Sequence, residues 1–97
     1  SDLRRRAMVD RQRTTMFFTQ DGYIQQTKYS PEKSTPYEKN LVFLRSNTSN
    51  KKDSFSFSSS GRPSNSGTMY FEIGKNTYGL ILSPVNSRIR VEKFHEK

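Results

Sequence analysis

The chain has 97 residues, 30% of them hydrophobic, and its 17 Lys and Arg outnumber 9 Asp and Glu, giving a formal net charge of +8. Such a length supports one domain with a small core, into which most of the aromatic residues must go, and it disfavours a large enzyme cleft. The absence of cysteine excludes a disulfide framework, a thiolate zinc site, an iron–sulfur cluster and a cysteine nucleophile.

Residues 2–12 (DLRRRAMVDRQ) contain no Gly or Pro and no strand alternation, and Asp2 sits where an N-cap or first-turn acid belongs, so this segment is expected to be helical. Its apolar positions Leu3, Ala7 and Met8 form a narrow stripe. A helix of this length is marginal alone in water, which implies that it leans on something or continues a longer helix. Ser1 in place of Met fits a trimmed or processed start.

From Thr14 the pattern turns to strand. TTMFFTQ and YIQQTK flank Asp21-Gly22, a pair that type I′ hairpin turns favour. Residues 30–36 (SPEKSTP) are expected as a loop because of their two prolines. A strand over Tyr37–Arg45 holds the longest apolar run, Leu41–Leu44, which is far short of the about 20 residues needed to span a bilayer. A polar loop at 46–53 follows, and then the alternating strand Ser54–Ser58 with Phe55 and Phe57 on one face. Beyond the Gly/Pro/Ser loop 59–67 come strands at Thr68–Ile73, Thr77–Ser83 and Arg88–Phe94, joined by short turns. One N-terminal helix and about seven short strands imply an α+β fold, with the helix packed on an antiparallel sheet.

Catalytic groups are sparse. The single histidine, His95, lies near the C-terminus, and the carboxylates Asp10, Asp21, Glu32, Glu38, Asp53, Glu72 and Glu92 are scattered through turns and polar faces without a paired spacing. The segment GRPSNSGT (61–68) lacks the lysine of a phosphate-binding loop and precedes a strand instead of a helix. Asn47-Thr48-Ser49 is a glycosylation sequon in an expected loop. No enzyme activity, cofactor or metal is expected.

Binding of polyanions is the better-supported class. Basic residues gather at both ends, with Arg4, Arg5, Arg6, Arg11 and Arg13 in one cluster and Arg88, Arg90, Lys93 and Lys97 in the other. Strand alternation puts Arg88 and Arg90 on one side, rooted about 6.6 Å apart, a spacing that suits consecutive backbone phosphates. An amphipathic strand with a solvated outer face gives the same alternation. Arg62 at a loop tip and Lys75 in a turn extend the basic surface if their loops lie on that side, and Lys93 is a further supporting cation.

Several segments recur in a familiar order. Ala7-Met8-Val9-Asp10-Arg11-Gln12-Arg13 precedes the first strand, Asp21-Gly22-Tyr23 follows it, and Phe55-Ser56-Phe57 leads into Gly61-Arg62-Pro63-Ser64-Asn65-Ser66-Gly67-Thr68-Met69. The chain then ends on Ser87-Arg88-Ile89-Arg90-Val91. Over nearly its whole length this order resembles the globular domains of type IV pilins and pseudopilins, in particular GspH/FimT-like minor pilins and competence pseudopilins of the ComGD type. The resemblance implies a pilin-like α+β fold, with residues 1–13 the end of a truncated helix and 14–97 the globular β domain. It also implies a filament subunit that partners other major and minor pilins. Such a subunit is held in the cell membrane by an N-terminal helix missing from this chain before it joins a cell-surface pilus. In some relatives the terminal Gly-Arg-x-Arg element is associated with DNA binding in natural transformation. Carried over, that role falls on Arg88 and Arg90, while Ser87 stands where those relatives have glycine. A type II secretion minor pseudopilin and a small basic β domain that binds nucleic acid are the alternative readings.

Overall fold

The computed structural model describes residues 13–85 and 88–94. Within them lie eight strands: β1 (Thr14–Phe18), β2 (Gly22–Thr27), β3 (Ser30–Pro36), β4 (Leu41–Thr48), β5 (Ser54–Phe57), β6 (Gly67–Ile73), β7 (Asn76–Ser83) and β8 (Arg88–Phe94). All neighbours pair antiparallel, in two four-stranded sheets ordered β3-β2-β1-β5 and β4-β6-β7-β8.

The described residues are therefore all-β, which corrects the expected α+β architecture of one helix on one sheet. The two sheets pack apolar face to apolar face around Phe18. Phe18 of β1 meets Phe43 of β4 and Phe71 of β6, with ring centroids 6.2 Å and 5.8 Å apart. Phe55, Phe57, Met69 and Leu82 complete the buried core. The segment expected as a helix, 2–12, lies outside the described residues. Among the described residues no helix is long and apolar enough to cross a membrane.

The eighth strand is β3, in the segment expected as a proline-punctuated loop. Prolines are tolerated there because β3 is an edge strand, where the missing N–H groups need not serve the ladder. Its register with β2 runs from Gly22↔Pro36 to Thr27↔Ser30 with one irregularity between Gln25 and Thr27. Tyr37, expected to open the next strand, instead follows β3 and turns its ring toward Tyr23 and Phe71, at 6.5 Å and 5.7 Å. A residue with positive φ, Asn40 (75°), then redirects the chain into β4, which continues through Thr48. The sequon Asn47 thus stands within a strand, not a loop.

The β1–β2 hairpin forms, but its turn differs from the expected one. Thr19 N–H donates to Gly22 O (2.8 Å), and the Thr19 hydroxyl accepts from the Asp21 and Gly22 amides (3.3 Å and 3.2 Å). The turn is centred on Gln20-Asp21, neither at positive φ. Gly22 is needed for space: a Cβ there would sit 2.2 Å from the carbonyl oxygen of Thr35.

Loop 59–67 closes the far edge of β5. Ser56 N–H donates to Asn65 Oδ1 and Asn65 Nδ2 donates to Ser54 O, both at 2.9 Å, so that one buried side chain stands in for a neighbouring strand. Ser64 N–H donates to Ser56 O (2.8 Å) beside it. Beside the core, between β1–β2 and β6–β8, the sheets leave an open apolar groove of about 600 Å³ lined by Met16, Tyr23, Tyr37, Leu80 and Val91 among others. The Tyr37 hydroxyl is buried and finds no hydrogen-bond partner among the described residues, the nearby Thr19 amide being engaged by Gly22. Burial pushes its pKa up to about 12.

Candidate nucleic-acid interface

In an antiparallel ladder, directly opposed residues share a face. Arg45 pairs with Tyr70, Tyr70 with Gly79, and Gly79 with Glu92, which defines one row across the outer face of β4-β6-β7-β8. Arg88, Arg90, Glu92 and Phe94 are the β8 side chains on this face, by the period of two. Ile89, Val91 and Lys93 lie on the inner side, opposite Leu82, Leu80 and Tyr78.

The centre of this outer face is an aromatic step flanked by a cation. The guanidinium of Arg45 lies 4.0 Å from the ring centroid of Tyr70. The rings of Tyr70 and Phe94 are 5.5 Å apart although β7 runs between their strands. Gly79 of β7 makes that approach possible, since a Cβ there would come within 2.4 Å of the Phe94 ring. Arg88 and Arg90 stand farther along β8, opposite Ser83 and Ile81. Arg90 forms an ion pair with Glu92 (3.5 Å), and both side chains are at least half exposed, so solvent screens the pair heavily.

Of the five cations expected to form a binding surface, Arg88 and Arg90 share this face and the other three do not. Lys93 projects to the inner side of β8, opposite Tyr78. Lys75 lies in the β6–β7 turn, at the end of the sheet where Phe94 pairs with Thr77. That end is about 20 Å along β7 from Ser83 and Arg88, at about 3.3 Å per residue. Arg62 belongs to the loop capping β5 of the other sheet, where its carbonyl accepts from Ser58 N–H (2.8 Å). Alternation alone can leave an outward cation or point it inward, and the sequence of β8 carries both cases.

Three residues extend the face beyond those expected: Arg45, Tyr70 and Phe94. Tyr70 was expected in the core with the other strand aromatics, yet its neighbours at two-residue spacing, Thr68 and Glu72, are polar while Met69 and Phe71 are buried. That local alternation is the signal that marks Tyr70 as outward. Ser87, where the resemblance expects glycine, and His95 lie outside the described residues. Among the described residues the carboxylates stand apart: Glu32 is bound to Gln26 at the β3 edge, Asp53 accepts from Ser46 Oγ, and Glu92 faces Arg90. Among the described residues no three of His, Cys, Asp and Glu are grouped to hold a metal ion.

An open face with two exposed arginines, one of them in a solvent-screened pair with Glu92, and an arginine-flanked pair of rings can hold phosphates by charge and a base by stacking. Comparison of the chain with protein-family models, with curated proteins and with solved structures gives no match, so this chemistry is read from the face itself.

Proposed function

We propose that the chain is a non-enzymatic, pilin-like filament subunit of a competence pilus, whose basic β domain contacts DNA during uptake. The observation that carries the DNA part is the common outer face of Arg88 and Arg90, continuous with Arg45, Tyr70 and Phe94. The order of segments from Ala7 to Val91 supports the filament part. Each phosphate neutralised by an arginine releases condensed counterions, so binding weakens with salt by roughly 0.7 to 0.9 log units per phosphate for each log unit of salt. The few cations on the face make this a weak, sequence-independent contact, suited to a strand that must slide past.

Fluorescence anisotropy with a labelled oligonucleotide at low salt tests the DNA part. Binding by the wild-type chain, weakened about tenfold or more in an Arg45→Glu/Arg88→Glu double variant, is expected, on the scale of about 1.4 kcal/mol per decade. No binding at low salt removes the DNA part. Fractionation of cells producing the native protein tests the filament part, which requires the chain in sheared surface filaments.

The all-strand architecture of the described residues, with Tyr70 and Phe94 paired on a face that also carries Arg45, Arg88 and Arg90, favours a second reading: a nucleic-acid-binding β domain that works outside any filament. It requires the same oligonucleotide binding with the protein absent from the filament fraction.

A further inference from the structure

Each four-stranded sheet has two edges, and three of the four edges are obstructed. β3 carries Pro31 and Pro36, β5 is capped by Asn65 and its loop, and β4 has a register irregularity between Phe43 and Arg45. β8 differs: it pairs with β7 through seven consecutive residues without a bulge, contains no proline, and has no strand on its outer side among the described residues. Its inner side carries Val91, 69% exposed at the lip of the apolar groove.

We propose that β8 pairs antiparallel with β8 of a second copy about a twofold axis through Val91, joining two β4-β6-β7-β8 sheets into one eight-stranded sheet. The charge pattern selects this partner and this register. Centred on Val91, Arg90 of each copy faces Glu92 of the other, Arg88 faces Phe94, and the two Val91 side chains meet on the groove side. Every nearby register is worse. Centring on Ile89 sets Arg88 against Arg90, and centring on Arg90, Glu92 or Lys93 sets that charge against itself. Like charges directly opposed across strands are destabilising, and opposite charges favourable. The two intrachain Arg90–Glu92 contacts, one of 3.5 Å in each copy, are exchanged for two across the axis, so the number of ion pairs is kept. Lys93 lies beside Ile89 of the second copy, its stem over apolar surface and its ammonium outward. An inward cation of this kind also discourages indiscriminate pairing by other edges. The contact is isologous, so it closes at two copies.

The test is the mass of the 97-residue chain by sedimentation equilibrium over a concentration series. Wild type is expected to rise from 11.3 kDa toward twice that value. Arg90→Glu and Glu92→Arg each create like-charge pairs across the axis, and each is expected to weaken association by about tenfold or more. Mixed together, the two variants have opposite charges at both positions and are expected to form a heterodimer as tight as the wild-type dimer. Recovery in the mixture shows that the single variants are folded. A wild-type mass that stays at 11.3 kDa at every concentration overturns the proposal, as does a dimer indifferent to the single variants or single variants that do not recover on mixing.

Discussion

The side-chain amide of Asn65 donates to the main-chain carbonyl of Ser54 at 2.9 Å, eleven residues earlier in the chain. Its oxygen accepts from Ser56 N–H at the same distance, so a single buried side chain supplies both a donor and an acceptor to the edge of β5. Asn65→Ala strips partners from two main-chain groups and is expected to cost about 2–6 kcal/mol, at about 1–3 kcal/mol for each buried group left unpaired. Asn65→Asp keeps the acceptor but sets a carboxylate against Ser54 O, and is expected to destabilise as well. Urea unfolding of the three proteins checks both values.

Phe18 and Phe17 are neighbours of one residue type on opposite faces of β1. Phe18 stands 5.6 Å from the Phe55 ring and within 6.2 Å of Phe43 and Phe71, at the junction of both sheets. Phe18→Ala is expected to cost about 3–5 kcal/mol, and Phe17→Ala on the outer face substantially less. In a domain of this size the first loss approaches the whole stability, so the midpoint of thermal unfolding for Phe18→Ala is expected near or below room temperature.

Tyr37 makes stability pH-dependent in the alkaline range. Its pKa of about 12 in the folded chain exceeds the ordinary 10.0, so between these values the unfolded chain loses a proton that the folded chain retains. The unfolded state then binds fewer protons, and stability falls as pH rises from about 10 to about 12. Below pH 10 Tyr37 contributes no pH dependence. Tyr37→Phe is expected to remove this alkaline component and, by deleting an unpartnered hydroxyl, to leave stability at pH 7 unchanged or raised by about 1 kcal/mol. Denaturant midpoints of the two proteins at pH 7, 10 and 11.5 check the difference.

The aromatic pair separates stacking from charge in the proposed DNA contact. Tyr70→Ala or Phe94→Ala is expected to weaken single-stranded oligonucleotide binding by about 1–3 kcal/mol while leaving the salt slope intact. Arg88→Ala is expected to lower the slope by roughly 0.7 to 0.9. Lys93→Ala and Lys75→Ala, on the inner side and at the far turn, are expected to change binding less than Arg88→Ala. Anisotropy titrations of the five variants at three salt concentrations measure these effects.

Where sequence reading succeeds in this chain, the determinants are local. The β1–β2 hairpin and the β6–β7–β8 meander are legible from alternation and short turns, and Phe55 and Phe57 announce the core face of β5 directly. β3 escapes because its prolines carry the same signature in an edge strand as in a loop. The type of turn at Asp21-Gly22 escapes because the Thr19 hydroxyl shifts the turn by one residue. What closes the core is less local still: the layer opposite Phe18 comes from Phe43 and Phe71, and no periodicity within β1 distinguishes a covering sheet from a covering helix. On the candidate face, Arg88 and Arg90 are legible as a pair through alternation. Phe94 shares their side by the same alternation, whereas Arg45 joins only through the cross-strand register, and Phe94 reaches Tyr70 only through the gap that Gly79 leaves.

The place of β5 shapes how the chain must be made. β1 and β5 pair from Thr14↔Phe57 to Phe17↔Ser54, while β4 and β6, which flank β5 in sequence, pair with each other in the opposite sheet. During synthesis from the N-terminus, β1, β2 and β3 emerge first and can zip together, but the free side of β1 stays open until residues 54–57 arrive. Folding therefore waits on a non-local pairing, a slow kind of step that leaves a nascent edge available to wrong partners. Because the chain crosses to the second sheet at β4 and returns for β5, the first sheet is closed only after β4 has been made, and β4 in turn waits for β6 before it has a partner.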